Sequence, residues 1–190
     1  MEKNIRKVMG ISEKWLIFLL AIVALASLFL VFDPQFAYID DNSHYLNLGK
    51  AIYSGRGFSR IDLPDSPREN IVSPGLPAIY ALIFTLRGNS YDLIPIKIFS
   101  MISFWLAMLI LFFLLTRYLK VEKDIAFFIV TAIVFNPRII VFSSMCTTEA
   151  PFVFFQTITF YLLMTFNEKK KTLYFLLSIL FSIATLYIKV

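Results

Sequence analysis

The chain has 190 residues, of which 58% are hydrophobic and 17% aromatic, with 21 Phe. That exceeds what the core of a soluble domain of this size requires, so the composition points to a membrane protein. The net charge of +5 gathers in short clusters between apolar runs, as topology determinants do, which excludes the spread basic footprint of a nucleic-acid binder.

A single cysteine, Cys146, rules out an internal disulfide or a thiolate metal cage, and reads as a small apolar residue. The first apolar run, residues 15–32, is uncharged and about long enough to cross a ~30 Å hydrocarbon layer as a helix. Ala24 and Ala26 lie inside it rather than after it, so it reads as a retained anchor and not a cleaved signal. Lys3, Arg6, Lys7 and Lys14 precede it and assign the N-terminus to the cytoplasm.

The next segment opens with Asp40 and Asp41. Residues 41–54 place Tyr45, Leu48 and Ile52 at helical spacing, an apolar stripe able to lie on a bilayer, and Gly55 and Gly57 end it. Residues 60–73, with Pro64 and Pro67 among Asp, Arg and Glu, read as a mobile polar stretch. Ser73-Pro74-Gly75-Leu76-Pro77 then sets a sharp turn into the apolar segment 76–86, which is too short to span and reads as interfacial. Were it to cross, residues 117–124 and Lys169 to Lys171 would face outward, against the positive-inside rule.

The expected fold class is therefore all-α. It is a polytopic membrane protein of five transmembrane helices with a long first extracytoplasmic loop carrying interfacial helices. The spans fall near 15–32, 96–117, 125–142, 150–166 and 172–189, the outer loop is 33–93, and 1–190 forms a single membrane domain of the cell membrane.

Several polar residues converge at the outer end of this scheme. Adjacent carboxylates at a membrane surface repel each other and hold protons or cations, so Asp40 and Asp41 suit a general base or a cation ligand. An N-cap role explains one of them equally well. His44 shares their helical face and can bond locally. Thr148 and Glu149 open the fourth span, where capping again competes with chemistry. Arg138 and Lys189 lie near outer span ends, where each can snorkel or meet a lipid phosphate.

In series these residues resemble the amino-terminal part of an integral-membrane glycosyltransferase of the GT-C superfamily. The branch is that of protein O-mannosyltransferases, aminoarabinose transferases and RgtA/B/C/D-like enzymes. The resemblance rests on Asp40-Asp41-Asn42-Ser43-His44-Tyr45, Gly55-Arg56-Gly57-Phe58, Ser73-Pro74-Gly75-Leu76-Pro77 and Arg87-Gly88. It continues through Asn136-Pro137, Thr148-Glu149 and Leu186-Tyr187-Ile188-Lys189.

The resemblance implies transfer of a sugar from a polyprenyl-phosphate donor to an acceptor at the outer face. By it, Asp41 is the catalytic base and Asp40 its neighbour or a divalent-cation ligand. Glu149 takes the second acidic position, and Lys189 holds the donor phosphate. Arg138, His44 and Tyr45 are further substrate-binding candidates. The family often has Asp-Glu or a single Asp where this chain has Asp40-Asp41, so the base stays open between the two.

The implied partners are the polyprenyl-phosphate sugar lipid and membrane lipid, without nucleic acid. Relatives carry more spans, so the chain reads as a truncated form, or one whose missing helices come from a partner chain. A non-catalytic membrane subunit is the competing reading. A transporter ranks last, because the charges sit near span ends rather than mid-bilayer.

Overall fold

The computed structural model describes residues 12–32 and 40–189. Lys3, Arg6 and Lys7 lie outside the described residues, as do the side chains of Asp40 and Asp41, whose backbone is described. Among the described residues every regular element is a helix, and the one isolated extended pairing is a bridge between Ser59 and Arg68.

Eight α-helices follow in order: α1 Glu13–Val31, α2 Asp40–Tyr53, α3 Gly75–Arg87, α4 Ile94–Phe113, α5 Lys123–Val134, α6 Pro137–Ser143, α7 Glu149–Lys169 and α8 Thr172–Ile188. A π-helical turn, Leu114–Tyr118, extends α4. The end of α2 follows from its glycines: Gly55 and Gly57 take φ of 77° and 72°, a left-handed region costly for other residues. Residues Ile94–Tyr118 and Glu149–Lys169 are each long and apolar enough to cross a membrane.

The region of the expected span 125–142 holds two helices, α5 and α6, bent by 73°. The cause is local. Asn136 Oδ1 accepts the N–H groups of Arg138 and Ile139 at 3.0 and 3.4 Å, and Pro137 occupies the first turn, so a new helix is capped there. The bent pair crosses as one broken span or re-enters.

Residues 60–73 also differ from expectation. They are folded down on α2: Arg60 N–H donates to Pro67 O at 2.8 Å, Glu69 N–H donates to Phe58 O at 3.0 Å, and the Glu69 side chain is buried. The prolines and charges that suggested a solvated stretch instead shape a compact loop.

Two apolar clusters organise the bundle. Leu16 and Leu20 of α1, Phe104, Met108 and Phe112 of α4, and Val130 and Val134 of α5 form the first. Leu46, Leu76, Tyr80, Phe84, Ile96 and Cys146 form the second, which ties α2 and α3 to the head of α4 and to the link before α7. Large apolar side chains still face outward, among them Trp15, Phe29, Leu176 and Leu180. Hydrocarbon is the solvent such faces fit.

The opposite end of the bundle is closed by Arg117 on Glu168 at 2.9 Å, and by the Tyr118 and Thr165 hydroxyls 2.6 Å apart.

Candidate functional site

α7 and α8 form an antiparallel hairpin whose turn is made by Lys170, with φ 53°, and Lys171. Phe166 stacks near Phe175 and Phe155 near Phe181, with ring centroids 5.2 and 5.7 Å apart. From that turn α7 runs 21 residues and α8 runs 17, lengths of about 31 and 26 Å at about 1.5 Å per residue. The far ends therefore fall short of each other by about one helical turn, which a lysine side chain can bridge.

It does so. Lys189 Nζ lies 3.4 Å from Glu149 Oε1 and 5.6 Å from the centroid of the Phe152 ring, one turn further along α7. Glu149 Oε2 and Thr147 Oγ1 are buried and have no hydrogen-bond partner among the described residues. Thr148 stands at the helix N-cap, but its side chain makes no capping bond. The Thr148 side chain thus supplies no cap, while Glu149, in the first turn of α7, still fits the capping role as well as a chemical one.

The end of α8 is seated by the proline turn. Ser73 Oγ donates to the Tyr187 carbonyl oxygen, and a Cβ on Gly75 would run into that same carbonyl. Gly75 is required here for close approach. Lys189, two residues beyond Tyr187, is held at the rim by the contact of Tyr187 with Ser73, 114 residues before Tyr187.

The preceding loop is anchored to α2. His44 Nε2 lies 3.0 Å from Glu69 Oε2, and Arg60 Nε lies 4.0 Å from the same oxygen. Glu69 Oε1 accepts the backbone N–H groups of Asn70 and Ile71 at 2.9 and 2.6 Å. Burial pushes the Glu69 carboxyl up, but these N–H donors and His44 outweigh it and hold it below the usual carboxylate range. Tyr45 meets His44 edge-on at 6.2 Å and packs on the second apolar cluster beside Tyr80 and Cys146.

The proposed residues are thus distributed as follows. Glu149 and Lys189 are in contact. The backbone of Asp40 and Asp41 forms the first turn of α2, one turn before Tyr45, on the helix that packs against α3 and the Cys146 link. Arg138 is exposed in the first turn of α6 and makes no ion pair among the described residues, so nothing ties it to the Glu149–Lys189 contact.

Sequence reasoning missed buried Glu69 and buried Lys97, and it read Ser73-Pro74-Gly75 as a turn without its seat on α8. Lys97 is only 3% exposed in the first turn of α4, and it is near enough to act on the Cys146 thiol. A lysine at the head of an apolar run is a signal that could have flagged it. Cys146 is buried, and burial pushes its thiol up to about 11. Among the described residues, no group of three or more His, Cys, Asp or Glu is arranged to hold a metal ion.

Residues 69–189 match the sequence profile of the dolichyl-phosphate-mannose-protein mannosyltransferase family. The chain belongs to that family. It is accordingly a membrane glycosyltransferase of the GT-C type. The match runs from the buried Glu69 to Lys189, and so includes the proline turn, the helix break, Glu149 and the α7–α8 hairpin. Asp40, Asp41, His44 and Tyr45 precede it. Neither a curated protein nor a solved structure matches the chain.

Proposed function

We propose that this glycosyltransferase moves a sugar from a polyprenyl-phosphate donor to an acceptor hydroxyl at the extracytoplasmic end of the bundle. Asp41 accepts the hydroxyl proton as the acceptor oxygen bonds to the anomeric carbon. The bond from that carbon to the phosphate oxygen breaks, and its electron pair leaves on the lipid phosphate. Lys189 sits against the phosphate and offsets the charge it gains. Glu149 holds the lysine in position through Oε1 and keeps Oε2 for a hydroxyl of the sugar or acceptor. Asp40 supports Asp41 or holds a divalent cation beside it, and Arg138, His44 and Tyr45 complete the surroundings.

In this reading α1, α4, the bent α5–α6 pair, α7 and α8 are the five spans, and the basic N-terminus is cytoplasmic. The observation that carries the proposal is the Glu149–Lys189 contact, an acid and a base from the two ends of a membrane hairpin, 3.4 Å apart at a rim. A charged pair at that depth suits a phosphate entering from the lipid.

The test is sugar transfer in proteoliposomes from a defined polyprenyl-phosphate sugar. Lys189→Ala should raise the donor KM about tenfold or more, the loss expected for one charge-assisted hydrogen bond. Full activity in both Asp41→Asn and Asp40→Asn would end the catalytic assignment. Donor binding without transfer by the parent chain would favour a non-catalytic membrane subunit.

A further inference from the structure

Glu69 is an acid buried in a loop, with only 2% of its side chain exposed. Such a group is stable only if its charge is met. Two backbone donors occupy Oε1, and they come from its own two neighbours, Asn70 and Ile71. They fix the carboxylate to the loop. Oε2 is turned the other way, to His44 on α2.

That contact links the loop to α2 through two side chains. Among the described residues, the charged groups nearest it belong to the loop: Arg60 lies 4.0 Å from Oε2 and holds Asp62 Oδ2 at 2.8 Å. From α2 itself, Tyr45 lies edge-on against the imidazole.

His44 is one turn from the start of α2, and α2 begins at Asp40. A helix end is the part of a helix that frays, because its first four N–H groups have no helical partner. The ends of α2 are managed differently. Its C-terminus is closed by the Gly55 and Gly57 turn and by packing of Gly49 on Tyr80. Near its N-terminus Asn42 and Leu46 are buried, and His44 meets Glu69 of the loop.

We propose that Glu69 is a positioning residue that acts through His44 to hold the first turns of α2, and with them Asp40 and Asp41, in register with the Glu149–Lys189 rim. The role rests on the reading that α2 carries the base. Glu69 touches neither donor nor acceptor. It sets where the carboxylates stand, so its loss should lower turnover and leave donor binding at Lys189 almost untouched.

The experiment uses the full chain in lipid nanodiscs and reads two independent quantities. The first is hydrogen exchange over residues 40–47. The second is transfer kinetics with a polyprenyl-phosphate sugar. In Glu69→Ala and in His44→Gln, the 40–47 amides should exchange about tenfold faster while α7 and α8 stay at parent rates, as for a local opening. In the same variants kcat should fall about tenfold, with donor KM within about twofold, as for a misplaced base.

The double variant should be no worse than the worse single, because both remove one contact. Glu69→Gln, which keeps an acceptor for Asn70 and Ile71, should loosen residues 40–47 as His44→Gln does. Unchanged exchange over 40–47 in both His44→Gln and Glu69→Gln would overturn the proposal, as would a fully additive double variant. Should Glu69→Ala lose protection throughout the bundle, His44→Gln decides, because it leaves the loop's own bonds intact. Full activity in the Asp41 and Asp40 variants would remove the catalytic reading, whereas the exchange data would still decide the clamp.

Discussion

Adding one methyl group at Gly75 tests how the proline turn controls the rim. The ideal Cβ would stand 2.7 Å from the Tyr187 carbonyl carbon and 3.1 Å from its Cβ, and closer still to the carbonyl oxygen. Ordinary carbon contacts lie near 3.5 Å, so Tyr187 must retreat by about 0.8 Å or more. Overpacking of this kind costs about 1–3 kcal/mol. Gly75 is the first residue of α3, and its φ is not in the left-handed region, so alanine there regains up to about 1 kcal/mol of helix propensity. The net loss of stability is therefore up to about 3 kcal/mol.

The effect on function should be larger. Lys189 is two residues past Tyr187, and a shift near 1 Å takes its amine out of bonding range of Glu149 Oε1. Misplacement on that scale can cost up to about 10²-fold, and about tenfold in donor KM is expected under the proposed role of the lysine, which is to hold the phosphate before and during reaction. Ser73→Ala is the companion. It removes the hydroxyl bond to Tyr187 without the collision and should cost about 1 kcal/mol, a few-fold in KM. Donor titrations of transfer in proteoliposomes, with thermal unfolding of the same samples, give both numbers. Parent KM and kcat in Gly75→Ala, with an unchanged unfolding midpoint, would refute the coupling of turn to rim.

Two further outcomes follow from the titrating groups. With its thiol pushed up to about 11 by burial, Cys146 should resist iodoacetamide in native membranes at pH 8, where the thiolate fraction is about 10⁻³, and react once the chain is denatured. Rapid native labelling would contradict the packing of the second cluster. Glu69 has a lowered folded pKa, so its contribution to stability is present above the unfolded carboxylate value near 4.3 and is lost as pH falls through the folded value. Protection of residues 40–47, corrected for intrinsic exchange, should hold down to about pH 4 and drop only below it.

Much of the fold was legible because hydrophobic runs fix helices almost without context. The span 172–189 exceeds α8 by one residue, 41–54 differs from α2 by one residue at each end, and 76–86 lies inside α3. The 73° break in 125–142 was half legible. Asn136-Pro137 is a helix-start signal, but an apolar run on both sides masked a change of direction. Contacts at a distance were the opaque part. Glu69 resembles its solvated neighbours in sequence, and its burial depends on a histidine 25 positions away. The Glu149–Lys189 contact was approachable from topology, because a hairpin of known lengths must return its ends to the same edge.

The same loop makes both attachments, and that fact links the two halves of the site. Glu69 binds α2 through His44, and Ser73 binds α8 through Tyr187, with four residue steps between them. A fully extended chain advances at most about 3.6 Å per residue, so the two anchor points are within about 14 Å whatever the loop's conformation. Side-chain reach adds only a few ångströms at each end. The helix that begins with Asp40 and Asp41 and the helix that ends at Lys189 are thereby tethered to one short strap. Freeing the strap at Glu69 should loosen only the α2 side, whereas displacing it at Gly75 should move only the α8 side. The two variants should therefore divide cleanly, one lowering kcat and the other raising donor KM, and their combination should be close to additive because the contacts share no partner.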